Sequence, residues 1–128
     1  MLQGVKVIEF ASVVAAPSAG GLLADWGADV VKIEPHAGDS MRGRPGSPLG
    51  STNFDIHNRN KRGIALNTNA PDTQEVLLRL VAGADIFLTN MLPSRLEKIG
   101  MDWNSLHAVN PAMVYGAVSS FGWNGPDR

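Results

Sequence analysis

Short apolar runs alternate along the chain with segments of helical spacing. The runs are rich in Val and Ile, and they span residues 5–10, 28–33, 63–66, 85–89 and 113–118. Runs this short and this apolar are typical of parallel strands that are buried on both faces. The sequence therefore predicts five strands at these positions.

The segments between the runs predict helices over residues 17–26, 71–82, 96–99 and 103–109. The second is the clearest, because it begins at a proline, carries one apolar stripe and ends at Gly83. Thr68 or Asn69 is expected to cap it, and Asp102 is expected to cap the last helix. Residues 35–62 are expected to form a long loop, and loops of this length are usually functional or disordered.

Strands that alternate with helices predict an α/β fold. We expect a doubly wound, mostly parallel, Rossmann-like sheet with helices on both faces. The 128 residues suffice for one ordinary domain. A single domain over residues 1–128 is therefore the simplest organisation.

Composition narrows the possible partners. The chain is 44% hydrophobic with a formal net charge of -1, so it is globular and lacks the basic excess of a general nucleic-acid binder. It has no Cys and no metal-site spacing of its three His. No apolar run approaches the roughly 20 residues of a membrane span, and the first residues lack a signal-peptide pattern. A cytoplasmic protein that binds neither nucleic acid nor membrane is the expectation.

Ligands of doubly wound sheets bind at the carboxyl ends of the strands. The segment 11–17 leads there from the first strand into a helix N-terminus, where an anion could bind, but the G-x-G-x-x-G pattern of dinucleotide sites is absent. A tight strand–helix junction without a ligand is the alternative. Glu34 stands where a Rossmann enzyme holds a ribose-binding acid, or it is a solvated strand end beside Lys32.

Charge is concentrated in one part of the chain. Between positions 42 and 62 only Asp55 is acidic, and the basic residues there are Arg42, Arg44, Arg59, Lys61 and Arg62. Such a local excess is typical of a site for a polyphosphate or a carboxylate. An exposed loop or a subunit interface would show the same pattern.

Several motifs together resemble one family. They are GVKVIEF, APSAGGLLADWGADVVKIEP, GDSMRG, NRNKRGIAL, ADIFLTNMLPSRLEKIGMDW, VNPAMVYGAVSSFG and GPDR, and they extend along all 128 residues. The chain resembles the N-terminal part of the family III CoA-transferases, the group that includes formyl-CoA and carnitine CoA-transferases and α-methylacyl-CoA racemase.

The resemblance implies a CoA-binding, Rossmann-like part of a longer enzyme that forms an interlocked homodimer. CoA would be a substrate rather than a cofactor, with an acyl-CoA and a carboxylic acid as partners. The transferases move CoA between acids through an aspartyl-CoA thioester. Their catalytic aspartate would lie beyond Arg128, so no catalytic residue is assigned in this stretch.

The resemblance also implies a set of CoA contacts. They follow the first, third and fourth strands and the helix after the fourth: Val14, Ala15, Leu66, Asn67, Thr68, Asn69, Asn90, Met91, Leu92 and Lys98. Pro35 and Asn69 depart from the family, whose well-known members have Arg and Lys there. Arg42, Arg62 or Arg95 is expected to supply the missing phosphate contacts.

Three alternatives stay open at this point. An acyl-CoA racemase of the same family would use an acid–base pair to exchange the proton beside the thioester carbonyl. A non-catalytic CoA- or nucleotide-binding module would be complete as it stands. An NAD-binding Rossmann domain is the third, although it lacks the glycine pattern.

Overall fold

The structure, a computed structural model, describes residues 1–43 and 50–123. Five parallel strands form one sheet in the order β3-β2-β1-β4-β5. The strands are β1 (Lys6–Phe10), β2 (Asp29–Glu34), β3 (Arg62–Ala65), β4 (Ile86–Thr89) and β5 (Val114–Ala117). The predicted doubly wound α/β fold is confirmed, and all five predicted strands are present.

The helices cover both faces of this sheet. They are α1 (Ala15–Asp25), α2 (Gly50–Asn58), α3 (Pro71–Ala82), α4 (Pro93–Lys98) and α5 (Trp103–Val109). A short 3-10 helix (Ser40–Arg42) lies between β2 and α2. Among the described residues, no helix has the length and apolar character needed to cross a membrane.

Alternation along the strands divides the core into two layers. Ile8, Phe10 and Phe87 point to one face and pack with buried residues of α3, α4 and α5. Val7 and Leu88 point to the other face and pack against the small residues of α1. Because side chains alternate between faces with a period of two, continuous apolar strands fill both layers.

Helix caps agree with the sequence at one helix and differ at another. The Asp102 side chain accepts hydrogen bonds from the Asn104 and Ser105 backbone N–H groups, so it caps α5 as predicted. The N-cap of α3 is Ala70, with no side-chain hydrogen bond, so the predicted cap by Thr68 or Asn69 is wrong. Pro71 begins α3 and has no N–H, which leaves one donor fewer to cap.

The predicted long loop over residues 35–62 is wrong in its central part, where α2 forms. The helix contains Gly, Asn, Thr and Ser, which are weak helix formers, so its sequence gives little signal. It is held by tertiary contacts instead. Phe54 is buried beneath the Arg42 guanidinium, whose central carbon lies 3.7 Å from the ring centroid, and α2 packs against α1.

Candidate functional site

The strand order reverses between β1 and β4, and the loops that follow these two strands are locked together. The Asn90 side-chain amide donates to the Ser12 carbonyl at 2.7 Å and accepts from the Ser12 N–H at 3.0 Å. One strand residue earlier, the buried Thr89 hydroxyl donates to the Phe10 carbonyl at 2.7 Å. This reversal is the place where open α/β sheets bind ligands.

The turn from β1 into α1 holds a strained backbone. Val13 has φ +68°, a left-handed conformation that costs a β-branched residue about 1–3 kcal/mol. The side chains of Val13 and Val14 are both exposed, although each is apolar. Strain and exposed apolar surface at one turn are typical of functional sites.

Four charged side chains lie buried beneath α1. Lys32 contacts Glu9 at 3.0 Å, Asp39 at 2.9 Å and the Ala11 carbonyl at 2.8 Å. Lys61 contacts the other Glu9 oxygen at 2.7 Å, the Pro17 carbonyl at 2.8 Å and Asn58. Each ammonium thus makes two hydrogen bonds and one further close ion pair, to Asp39 for Lys32 and to Glu9 for Lys61. Burial lowers the pKa of Lys61 even though Glu9 opposes that shift. We call Glu9, Lys32, Asp39 and Lys61 the buried ion network.

Glu34 is also buried at the end of β2, and both of its carboxylate oxygens accept hydrogen bonds. It accepts two hydrogen bonds from the Arg42 guanidinium, both 2.7 Å, and one from the Asp39 N–H at 2.9 Å. Burial acts to raise the pKa of Glu34, but the hydrogen bonds from Arg42 and Asp39 outweigh it and hold the pKa below its usual value. Glu34 is therefore not the solvated strand end of one sequence interpretation, since it is buried and accepts from Arg42 and Asp39.

This arrangement predicts how stability depends on pH. Because its folded-state pKa is lowered, Glu34 adds stability in full above pH 4.5, its ordinary pKa, and loses it as the pH falls through the folded value. At pH 7, Glu34→Gln is expected to lower the free energy of unfolding by about 2 kcal/mol, through the loss of charged hydrogen bonds.

Urea unfolding of the two proteins between pH 7 and pH 3 measures this effect. We expect the two free energies of unfolding to converge as Glu34 becomes protonated. Glu75→Gln is the control, since Glu75 forms an exposed pair with Arg79. A gap for Glu34→Gln that stays constant down to pH 3 would contradict the assignment.

Four of the clefts in the described part of the chain follow the carboxyl edge of the sheet. One, about 430 Å³, is lined by Glu34, Arg42 and Ala65 among others. The Arg95 cleft, about 540 Å³, lies between the ends of β1 and β2 and is lined by Phe10, Ser12, Asp39, Met91 and Arg95 among others. The Lys98 cleft, about 520 Å³, is lined by Thr68, Asn69, Pro71, Gln74 and Lys98 among others. The Phe121 cleft, about 370 Å³, is lined by Ala15, Asn90, Met91, Leu92 and Phe121 among others.

These clefts adjoin through shared elements. Met91 lines both the Arg95 cleft and the Phe121 cleft. The six-residue helix α4 carries Arg95 to one cleft and Lys98 to another. The Arg95 and Phe121 clefts are therefore continuous at Met91, and α4 borders both the Arg95 and the Lys98 clefts.

Comparison with known proteins identifies the family. The family described as CoA-transferase family III matches residues 2–128. The chain belongs to this family. Two curated family III relatives are the cinnamoyl-CoA:phenyllactate CoA-transferase of Clostridium sporogenes, 42% identical over 100% of this chain, and the formyl-CoA:oxalate CoA-transferase of Escherichia coli, 37% identical over 94% of it.

Solved structures of similar proteins share the fold. A protein from Mycobacterium tuberculosis superposes with a TM-score of 0.91 and 33% identity over 99% of this chain, which is 36% of that chain. A CAIB/BAIF family protein from Brucella suis has a TM-score of 0.88 and 38% identity over 97% of this chain, which is 34% of that chain. The chain likewise spans 32% and 30% of the two curated relatives, about a third of their length.

The structure brings most of the predicted family III contacts to the carboxyl edge. Ala15, Asn90, Met91 and Leu92 line the Phe121 cleft, and Val14 directly precedes Ala15. Thr68, Asn69 and Lys98 line the Lys98 cleft. Leu66 packs against the core, and Asn67 accepts a hydrogen bond from the Asn69 N–H, so both shape the loop after β3.

The three arginines expected to replace the missing phosphate contacts differ in position and in partners. Arg95 lines its cleft, with its guanidinium 5.7 Å from the Phe10 ring centroid. Arg42 is engaged by Glu34 and by the Phe54 ring, and it lines the cleft of about 430 Å³ beside the ends of β2 and β3. Arg62 begins β3 and bonds Asp29 at the start of β2, so it lies at the opposite, amino edge of the sheet.

The local basic excess does not form one anion site. Four of its five members form salt bridges to acids outside the segment, namely Arg42–Glu34, Arg59–Asp25, Lys61–Glu9 and Arg62–Asp29. The fifth, Arg44, lies outside the described residues, as does the GPDR motif. The interpretation as a polyphosphate patch is therefore wrong for these four, because pairing across the fold is invisible to a count along the chain.

Sequence reasoning missed the buried ion network. The sequence does contain an indication of it, since Glu9 and Lys32 each interrupt an otherwise apolar strand. The structure pairs these two residues in register across β1 and β2. It also missed a contact between α1 and α2, where the Ser18 hydroxyl and His57 Nδ1 lie 2.8 Å apart. None of the clefts described above is lined by either residue, so we regard this pair as a helix–helix contact.

Proposed function

We propose that this chain forms the CoA-binding portion of an enzyme that transfers CoA between carboxylic acids. The activities of the two curated relatives, both of them CoA-transferases, support the transferase over the racemase. The observation that carries the proposal is the row of clefts at the strand reversal, with Arg95 and Lys98 beside them. Within the described part of the chain, neither residue forms a salt bridge.

Arg95 and Lys98 suit the nucleotide end of CoA. Its phosphates carry several negative charges, which cationic side chains bind by charge-assisted hydrogen bonds. Arg95 and Lys98 are exposed and belong to the same short helix, so two phosphate groups can be contacted without burying a charge. Thr68 and Asn69 add hydroxyl and amide groups to the Lys98 cleft for hydrogen bonds to the ligand.

The proposed reaction follows the family's chemistry. An aspartate outside these 128 residues attacks the thioester carbonyl, forms a mixed anhydride and releases the CoA thiolate. The thiolate attacks the aspartyl carbonyl, releases the donor acid and leaves an aspartyl-CoA thioester. The acceptor carboxylate then attacks that thioester, and the thiolate returns to the new acyl group and frees the aspartate. The chain's own contribution is to hold CoA while these exchanges take place.

Binding of CoA to single-site variants tests the proposal. Arg95→Ala and Lys98→Ala are each expected to weaken CoA binding about tenfold, with a smaller loss at high salt, because each removes an exposed contact to phosphate. Isothermal titration of the protein expressed from its complete reading frame measures this. Arg79→Ala is the matched control, since Arg79 is exposed on α3 and lines none of the four clefts.

The outcomes separate the candidate functions. About tenfold weaker CoA binding in both variants, with the control unchanged, supports the proposal. Unchanged CoA affinity in both would contradict it. Binding of CoA by the complete protein without any transfer among the acids tested would support the non-catalytic binding module instead.

A further inference from the structure

One buried hydroxyl joins the ends of two neighbouring strands. Thr89 is the last residue of β4, and it lies in register with Phe10, the last residue of β1. Its hydroxyl donates to the Phe10 carbonyl at 2.7 Å and accepts from the Met91 N–H at 3.1 Å. Thr89 is fully buried and lines none of the four clefts described above, so it does not contact a ligand bound there.

Beyond this residue pair, side chains rather than strand pairing hold the two segments together. The parallel register of β1 and β4 ends at Phe10 and Thr89. Two residues past the end of β1, the Asn90 side-chain amide bonds both the N–H and the carbonyl of Ser12. Backbone groups that are shielded from water need such partners, so the hydroxyl and the amide together fix the path of residues 10–12.

The fixed path has a consequence at the next residue. Val13 has φ +68°, and a β-branched residue keeps such a conformation only where its surroundings impose it. The hydrogen bonds from Thr89 and Asn90 hold the residues directly before Val13 and so supply that constraint. Phe10 and Ser12 themselves line the Arg95 cleft, so the same hydrogen bonds shape its wall.

We propose that Thr89 is a positioning residue for CoA binding. Its hydroxyl holds residues 10–13 and Met91 in the arrangement that receives CoA, although it does not touch the ligand. The inference rests on the proposed function and adds a residue that is not among the expected CoA contacts. When binding requires one arrangement of a loop, the apparent affinity falls in proportion to the fraction of molecules that adopt it.

The hydroxyl of Thr89 is separable from the packing of its side chain. Valine keeps the shape but replaces the hydroxyl by a methyl group, so the Phe10 carbonyl and the Met91 N–H lose this partner. Serine keeps the hydroxyl and loses the buried methyl group. If Thr89 acted through packing alone, Thr89→Ser would weaken binding more than Thr89→Val. The positioning role predicts the opposite order.

Isothermal titration with CoA compares these variants on the protein expressed from its complete reading frame. We expect Thr89→Val to weaken CoA binding about tenfold, the scale of one or two lost hydrogen bonds, and Thr89→Ser to stay within about twofold of the unchanged protein. Thr73→Val is the matched control. Thr73 is also a buried threonine, but it lies on α3 and lines none of the four clefts, so the affinity for CoA should not change.

Hydrogen–deuterium exchange without ligand gives a second readout. Thr89→Val should speed exchange in peptides covering residues 10–16 and 90–92, because these segments are no longer held in one arrangement. Thr89→Ser should leave it unchanged. Thr89→Ala removes the hydroxyl without placing a methyl group against two polar groups, so it should repeat the effects of Thr89→Val and guards against a folding defect in that variant.

Two results would overturn the positioning role while CoA binding still depends on Arg95 and Lys98. One is unchanged CoA affinity in both Thr89→Val and Thr89→Ala. The other is a loss in Thr89→Ser or in Thr73→Val as large as that in Thr89→Val. In both cases the proposed function stands. No binding of CoA to the unchanged protein would overturn the proposed function and the positioning role with it.

Discussion

Gly20→Ala is expected to destabilise the protein by about 3 kcal/mol or more, the scale of a disrupted buried ion pair. A Cβ at position 20 would lie 2.0 Å from a Glu9 carboxylate oxygen and 3.2 Å from the Lys61 ammonium nitrogen. Glu9 is fully buried and held on both oxygens, so it has no room to move aside. Urea unfolding measures the loss.

This loss of stability is diagnostic because its direction is opposite to the ordinary effect of the substitution in a helix. Gly20 lies inside α1, where replacing Gly by Ala ordinarily stabilises a helix by about 1 kcal/mol. Gly83→Ala is the control, since its Cβ would meet nothing nearer than the Leu80 carbonyl at 4.0 Å and its φ of -102° suits alanine. It should be neutral or slightly stabilising. A Gly20→Ala protein as stable as the parent would show that Glu9 is not confined by α1.

Lys32→Met should also cost about 3–5 kcal/mol, the penalty for leaving a buried acid without its partner. Lys32 is the common partner of Glu9 and Asp39, so its removal leaves two buried carboxylates short of a cation. Methionine keeps much of the length and the apolar stem, so the loss reports the charge. The free energy of unfolding and the affinity for CoA are both measured.

The affinity should fall as well, because Asp39 lines the Arg95 cleft and Lys32 fixes it to the end of β1 through the Ala11 carbonyl. Arg79→Met is the matched control. It removes a cation from an exposed pair with Glu75 and should change stability by less than about 1 kcal/mol. Equal effects of the two substitutions would refute the account of the buried ion network.

The sequence was sufficient for the framework of the fold. Five apolar runs have the length of buried parallel strands, and α3 has a clear stripe with Leu77 and Val81 buried. The alternation of these strands with helices predicts a doubly wound sheet. Ligands of such sheets bind at the carboxyl edge, so the edge of the site is predicted as well. Helix α2 could not be predicted because it depends on contacts made only after folding, such as Arg42 over Phe54.

The partners of the charged residues could not be predicted from the sequence. Lys61 and Arg62 are neighbours in the sequence, yet one is buried against Glu9 and the other pairs with Asp29 at the far edge. A count along the chain treats them alike, whereas the partner of each is set by the strand register. Arg95 stands outside the basic segment of the sequence, and the structure places it in a cleft that neither Arg42 nor Arg62 lines.

Hydrogen–deuterium exchange with and without CoA tests the central claim most directly, on the protein expressed from its complete reading frame. The account predicts that CoA slows exchange at the carboxyl edge, in peptides covering residues 11–16, 66–70 and 90–98. Peptides at the amino edge, such as residues 59–62, should not change. Protection at the amino edge with none at the carboxyl edge would contradict the assignment of the CoA site.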